Sequence, residues 1–306
     1  MSQNLIISTS INPPTEAIKK FDKIKNWELI VVGDKKTPKK YKLKNGLYLS
    51  PSDQEKIDKK FSDSLGWNCI ERRNMGLIYA RKAGAKVVAL VDDDNIPHKN
   101  WGQNLFIGKT INAKFYKTKQ PVFDPLYQTN YKKLWHRGFP IDYLDKREKI
   151  KYKLKKIKVD VQADFWDGDP DIDAIARIMY KPTCKFKKKF FPFYSNALSP
   201  FNSQNTFIDS KLLKYYFLFP DQGRMHDIWA SYFLQYKRRI NVLYCKPSVF
   251  QKRNQHDLSV DLKNEFIGLK YNSEIVENIK KKTFKIENFF SKRSIYSYKL
   301  YLKHFG

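Results

Sequence analysis

The sequence predicts an α/β fold: a mainly parallel central sheet with helices on both faces. Apolar runs of strand length alternate with segments of helical periodicity through the first hundred residues. The run Val87–Val91 is apolar at every position, as in a strand covered on both faces, and Asp92, Asp93 and Asp94 follow it directly.

Taken in order, residues 5–8 (Leu-Ile-Ile-Ser) read as a first strand. Pro13 and Pro14 introduce a helix over 15–21, and Glu28–Val32 reads as a second strand ending in Gly33-Asp34. Asn74 is expected to cap a helix carrying Leu77, Ile78 and Ala80, with Gly84 as its stop before Val87–Val91. Repeated strand–helix–strand units imply parallel pairing, and ligands of such sheets bind outside the carboxyl ends of the strands. Ser8, Thr9, Ser10, Asp34 and Asp92 to Asp94 are therefore expected around one crevice. Adjacent carboxylates repel one another and stay ionised only beside a cation or hydrogen-bond donors; a hard divalent cation with phosphate ligands is the usual solution. An acidic turn would give the same triplet, and the convergence with the other strand ends favours the metal.

Residues 107–160 are rich in lysine and aromatics and read as an excursion or a β-rich acceptor region. Five aspartates follow: Asp164, Asp167, Asp169, Asp171 and Asp173. Asp171 is the expected cap of a helix bearing Ile172, Ile175, Ala176 and Met179. A calcium loop is excluded, because counting from Asp167 places Ile172 at the glycine position and Ile178 at the glutamate position. His226 and Asp227 fall near the start of a helix whose buried face carries Tyr232, Phe233 and Tyr236; His226 itself reads as an ordinary hydrogen-bonded histidine. Residues 263–306, with Lys280, Lys281 and Lys282, read as two basic amphipathic helices that either lie on an anionic membrane or pack on the domain.

The 306 residues hold 59 Lys+Arg against 31 Asp+Glu, a net charge of +28 that draws anionic partners. A hydrophobic content of 42%, with 15% aromatics, excludes a disordered chain. Cys69, Cys184 and Cys245 form no C-x-x-C pair, which argues against a disulfide framework or thiolate zinc site and fits a reducing compartment. The opening residues show no secretory leader, and no stretch approaches the ~18 apolar residues of a membrane span. A cytoplasmic location is expected, with peripheral contact at the cytoplasmic membrane face as the variant. Neither G-x-G-x-x-G nor G-x-x-x-x-G-K occurs, which disfavours nicotinamide and ATP chemistry.

Arg72-Arg-Asn-Met-Gly-Leu-Ile-Tyr-Ala80, then Gly84-Ala-Lys86 and Asp92-Asp-Asp-Asn95, resemble the STELLO-type glycosyltransferases. Trp27-Glu-Leu-Ile-Val-Val-Gly-Asp-Lys-Lys-Thr-Pro38, Trp166-Asp-Gly-Asp-Pro-Asp-Ile-Asp-Ala174, Asn202-Ser-Gln-Asn-Thr206 and Arg224-Met-His-Asp-Ile-Trp229 agree with that family in the same order. The likeness covers about residues 27–250 and extends more distantly to the reversibly glycosylated polypeptides, the UDP-arabinopyranose mutases. It departs in one respect: plant STELLO proteins carry a membrane anchor, and no apolar stretch here is long enough to be one, so location and partner are not carried over.

The resemblance implies a GT-A fold, a nucleotide-sugar donor (a UDP-sugar favoured) and a divalent metal, Mn²⁺ or Mg²⁺, held through a D-x-D motif. Asp92 and Asp94 supply that motif, with Asp93 in support. On this reading residues 1–262 form the catalytic domain, 1–106 its nucleotide-binding half and 107–262 its acceptor half, and 263–306 a helical extension. The other roles follow from position. Asp34 accepts from base or ribose; Ser8 to Ser10 line the nucleotide; Arg72 and Arg73 donate to phosphate with Asn74 beside them, unless Arg73 is a surface charge. Asp227 is the first choice for the general base of an inverting reaction, and Asp167 and Asp169 are next, as ligands of sugar or acceptor hydroxyls. The acceptor is expected to be a cell-surface or lipid-linked glycan.

Two other classes compete. A dehalogenase-type phosphatase also uses Asp-x-Asp after a strand, but on its first strand and with Thr or Val where Ile96 stands. A nucleic-acid-binding protein would use the +28 charge, although the acid clusters repel phosphate and no recognisable nucleic-acid motif is present.

Overall fold

A computed structural model describes residues 4–253 and 257–306. Met1 to Gln3, on which the leader reading partly rests, lie outside the described residues. The chain runs β1 (Asn4–Thr9), α1 (Glu16–Phe21), β2 (Glu28–Val32), β3 (Leu47–Leu49), α2 (Pro51–Leu65), α3 (Arg73–Lys82), β4 (Val87–Val91) and β5 (Asn95–Pro97). It continues with β6 (Thr110–Tyr116), β7 (Lys153–Lys158), β8 (Val161–Gly168), α4 (Ala174–Tyr180), β9 (Phe193–Ser195) and β10 (Asn205–Asp209). The last elements are α5 (His226–Lys237), β11 (Val242–Gln251), α6 (Leu258–Lys281) and α7 (Lys292–Leu302).

The strands form one 11-stranded sheet in the order β3-β2-β1-β4-β10-β8-β11-β9-β6-β7, with β5 paired to β11. β3, β2, β1 and β4 are parallel, as the alternating pattern predicts. β10 is antiparallel to both its neighbours, β4 and β8, and β8 and β11 pair in parallel. The α/β class therefore holds, and the parallel character belongs chiefly to the first half. Residues 107–160 contribute β6 and the edge strand β7 near their two ends, with a long excursion without named strands between them.

Local chemistry explains the elements that frame the site. The Thr15 hydroxyl accepts from the Ile18 amide and caps α1. Ser50 and Asp53 form a reciprocal capping box ahead of α2. Gly84, at φ 71°, turns the chain out of α3, its amide bonding to the Arg81 carbonyl while the Ala85 amide bonds to Ala80. Gly76 lets α3 press onto the sheet: a Cβ there would stand 2.6 Å from Ile7 Cγ2 and 3.0 Å from Val32 Cγ2.

Three expectations are corrected. Asn74 is no cap: it lies inside α3, and its amide is bonded to the Leu218 backbone through both its ends. Asp173, not Asp171, caps α4, accepting from the Ile175 amide. The boundary at 262/263 falls inside α6, and the segment beyond it shares the main core through Ile275, Val276, Phe289, Phe290 and Tyr301. The helical tail thus packs on the domain, although Phe266 of α6 stays exposed. No helix among the described residues is long and apolar enough to cross one.

Candidate active site

β1, β2 and β4 all end on the same edge of the sheet, and their carboxyl ends enclose a cavity of about 350 Å³. Thr9, Ser10 and Asn12 after β1, Asp34 after β2 and all three carboxylates after β4 line it. Sequence reasoning brought these segments together correctly, with the exception of Ser8. Its hydroxyl is fully buried within β1 and stands outside the cavity lining.

The three carboxylates have different surroundings. Asp92 Oδ1 accepts from Arg73 Nη2 at 2.7 Å, and its side chain is 35% exposed. Asp93 is tied down by the Ser10 hydroxyl and by Asn12 Nδ2 at 3.1 Å, while its carbonyl accepts from Thr15. It joins the loop after β1 to the loop after β4. Burial raises the Asp93 carboxyl, against the pull of the Ser10 and Asn12 hydrogen bonds. Asp94 is pushed up to about 7, first by burial and then by the charge of Asp92, with Arg253 opposing. Its Oδ1 is buried and has no partner. A buried carboxylate oxygen left unsatisfied among like charges is costly, and a divalent cation would supply what it lacks. The donor set, all carboxylate oxygen, suits Mg²⁺ or Mn²⁺. Among the described residues no three His, Cys, Asp or Glu side chains gather as a complete metal cage. Asp94 with Asp92 would therefore hold such an ion only together with phosphate and water oxygens, as is usual for Mg²⁺.

The arginine pair has a different task from the one expected. All five N–H groups of Arg72 are spent on Gln54, Ser62 and Gly66, and its guanidinium stacks on Trp67 at 3.8 Å. Burial lowers it to about 10. It is a buried brace and has no donor left for phosphate. Arg73 is not a surface charge: fully buried, it donates to Ser203, Thr9, Val91 and Asp92, and so fixes Asp92. Asn74, bonded to Leu218, does not reach the crevice. Asp34 is buried at the crevice wall, where its carboxylate accepts from the amides of Lys35 at 2.6 Å and Cys69 at 3.1 Å.

Asp227 is equally unlike a base. At the start of α5, 2% exposed, its carboxylate accepts from Arg137 Nη1 (2.9 Å), Arg137 Nη2 (3.0 Å) and the Ser203 amide (2.9 Å). Burial would raise it, but the Arg137 charge and hydrogen bonds outweigh burial and hold it well below the ordinary carboxylate range. Asp171 grips the other side of the same guanidinium through two bonds of 2.8 Å and is depressed in the same way. An acid this stabilised as an anion has little tendency to take a proton. His226 Nδ1 faces the Gly223 carbonyl at 2.6 Å, the ordinary hydrogen-bonded role expected of it.

Asp167 lies near the end of β8 and Asp169 directly follows that strand. Asp167 accepts from the Phe186 amide at 3.0 Å. Asp169 pairs with Arg177 and lies 3.4 Å from Arg253 Nε, with its side chain 33% exposed. Gln251 joins this side to the triplet: in register it pairs with Asn95 on one flank and Gly168 on the other. The backbones at Asp94 and Asp169 thus lie about two strand spacings, roughly 10 Å, apart. Arg253 stands between them, acting on both Asp94 and Asp169, and its own pKa is lowered by burial and by neighbouring Arg177. Sequence reasoning missed Arg253, Arg137 and Arg177. A single arginine near a strand end or in a helix has no spacing signal; only the fold brings the three onto the aspartates.

No family model matches the chain. Two proteins of Arabidopsis thaliana do. It is 25% identical over 187 residues to the probable glycosyltransferase STELLO2, covering 57% of this chain. It is 24% identical over 228 residues to the probable glycosyltransferase STELLO1, covering 68% of this chain. By sequence, the chain is similar to these two STELLO proteins. It spans 24% of the length of STELLO2 and 30% of STELLO1, so it corresponds to a minor part of each relative.

Proposed function

We propose that the chain is a glycosyltransferase that takes a nucleoside-diphosphate sugar, a UDP-sugar by preference, and passes the sugar to a glycan or lipid-linked acceptor with the help of a divalent cation. The observation that carries this reading is the unpartnered Asp94 oxygen in a crevice formed where three parallel strands end. The names of the two STELLO relatives support the transferase class.

Asp34 and the backbone from Thr9 to Asn12 bind the nucleoside end. Arg73 orients Asp92, and Asp94 with Asp92 holds the cation beside the diphosphate. Bound there, a divalent cation would offset the negative charge that grows on the departing diphosphate. Arg253 offers a second positive charge to the same oxygens. The acceptor oxygen attacks the anomeric carbon as the bond to the diphosphate breaks, and its proton passes to a carboxylate on the far side of the sugar. Asp169 is the acid we assign there, because it is part-exposed and its backbone lies about 10 Å from that of Asp94, which leaves room for one sugar ring.

Calorimetric titration of UDP-sugar in the presence of Mn²⁺ tests the reading. Asp94→Asn should abolish the metal-dependent heat, and Asp169→Asn should keep it while lowering UDP release on the order of 10²-fold or more. Unchanged metal-dependent binding by Asp94→Asn would overturn the assignment.

A further inference from the structure

Of the ten large apolar side chains exposed among the described residues, six lie on α4, α6 and β11. Ile178, Met179 and Tyr180 end α4, with Met179 62% exposed; Val260 and Phe266 lie on α6, with Phe266 64% exposed; and Phe250 closes β11. α4 packs against α6, and the Phe250 ring lies on Gly168, next to Asp169. Beside Met179 and Tyr180 opens a hollow of about 560 Å³ whose walls also include Trp135, Leu144 and Ile175, with Lys132 and Lys133 at its rim. Lys181, Lys252 and Lys263 are exposed on the same elements or directly after them.

Soluble proteins rarely leave several large apolar side chains together in water without a partner for them. The mixture here is apolar tips surrounded by lysine, with aromatic Tyr180, Phe250 and Phe266 among them. A phosphate backbone would gain nothing from Ile178, Met179 or Val260. A second copy of the chain in a two-fold interface would set this lysine-bearing patch against another identical, equally positive patch. An anionic bilayer surface satisfies both parts, since lysines meet lipid phosphate while apolar side chains enter the boundary region.

We propose that the face formed by α4, the start of α6 and the end of β11 docks on an anionic membrane surface. The docking stands on the surface chemistry alone. Its consequence for the acceptor rests on the glycosyltransferase reading: Arg177 of α4 holds Asp169, so docking would place the acceptor-side carboxylate close to the bilayer, where a lipid-linked acceptor is presented.

Vesicle co-sedimentation of the full chain tests the proposal, using phosphatidylcholine vesicles and the same vesicles with phosphatidylglycerol added. The wild type should bind the anionic vesicles and leave the neutral ones. Met179→Glu/Phe266→Glu should lose that binding by tenfold or more while keeping the wild-type melting temperature. Lys132→Gln/Lys133→Gln should weaken it roughly 25-fold, at about fivefold for each lysine. Equal binding by wild type and Met179→Glu/Phe266→Glu would overturn the proposal, as would no preference for anionic vesicles. Light scattering that finds a dimer which Met179→Glu/Phe266→Glu dissociates would also overturn it, by assigning the face to self-association. None of these results depends on turnover, so failure here is separable from failure of the glycosyltransferase reading.

Discussion

Replacing Asp227 by asparagine separates a catalytic from a structural role for this residue. Its carboxylate takes two bonds from Arg137 and two from Ser203, all in a buried setting. Breaking a buried ion pair by removing one partner costs ~3–5 kcal/mol. Here Asp171 still neutralises Arg137 and the asparagine oxygen still accepts, so a loss of about 2–4 kcal/mol is expected. At about 2 °C per kcal/mol for a chain of this size, the melting temperature should fall roughly 4–8 °C. The folded-state pKa of Asp227 is depressed, so its stabilisation is complete above the unfolded value of about 4 and is lost only as pH falls below that. The gap between wild type and Asp227→Asn should therefore be constant from pH 5 to 8. Turnover per folded molecule should stay within about threefold, whereas loss of a general base costs ~10²–10⁴. Thermal unfolding and UDP release, measured on the same preparations, provide both readings. An unchanged melting temperature with turnover down a hundredfold would refute this account of Asp227.

Asp164, buried in β8, is pushed up to about 7 by burial despite bonds from Ser248 and Gln162. A raised folded-state value means the fold loses stability as pH climbs from about 4 to 7, so Asp164→Asn should add about 1–3 kcal/mol at pH 8 and almost nothing at pH 4, read by denaturant unfolding. Gly76→Val should cost about 1–3 kcal/mol or more by driving α3 off Ile7 and Val32, measured the same way. Arg72→Met should lower stability by several kcal/mol, about the cost of leaving Gln54 and Ser62 unpaired, while donor affinity of the folded fraction is unchanged; a selective loss of diphosphate affinity would restore its phosphate role.

The legible parts of the fold were those with a strong local pattern. β2 and β4 were predicted at their observed bounds and β1 to within one residue at each end, because apolar runs bounded by turn residues leave little choice. β3 and α2 went unseen: three residues carry no periodicity, and α2 presents mainly lysine and acid to water. The crevice was legible because parallel strands must end on one edge. What each charge does there was not. Arg72 and Arg73 are adjacent in sequence yet face different neighbours, one Gln54 and the other Asp92, and no spacing rule distinguishes them. Asp227 resembled a base at a helix start until its distance to Arg137, ninety residues earlier, was known. Long-range ion pairs are set by topology, and a single sequence does not encode their partners visibly.

The central claim is that the triplet after β4 anchors a cation and the donor's diphosphate. A crystal of the protein with Mn²⁺ and UDP, measured at the manganese absorption edge, locates the ion directly. The account predicts an anomalous peak in contact with Asp94, shared with a diphosphate oxygen, and absent in Asp94→Asn. Diphosphate bound in the crevice without manganese at Asp94, or a peak that survives Asp94→Asn, would contradict it.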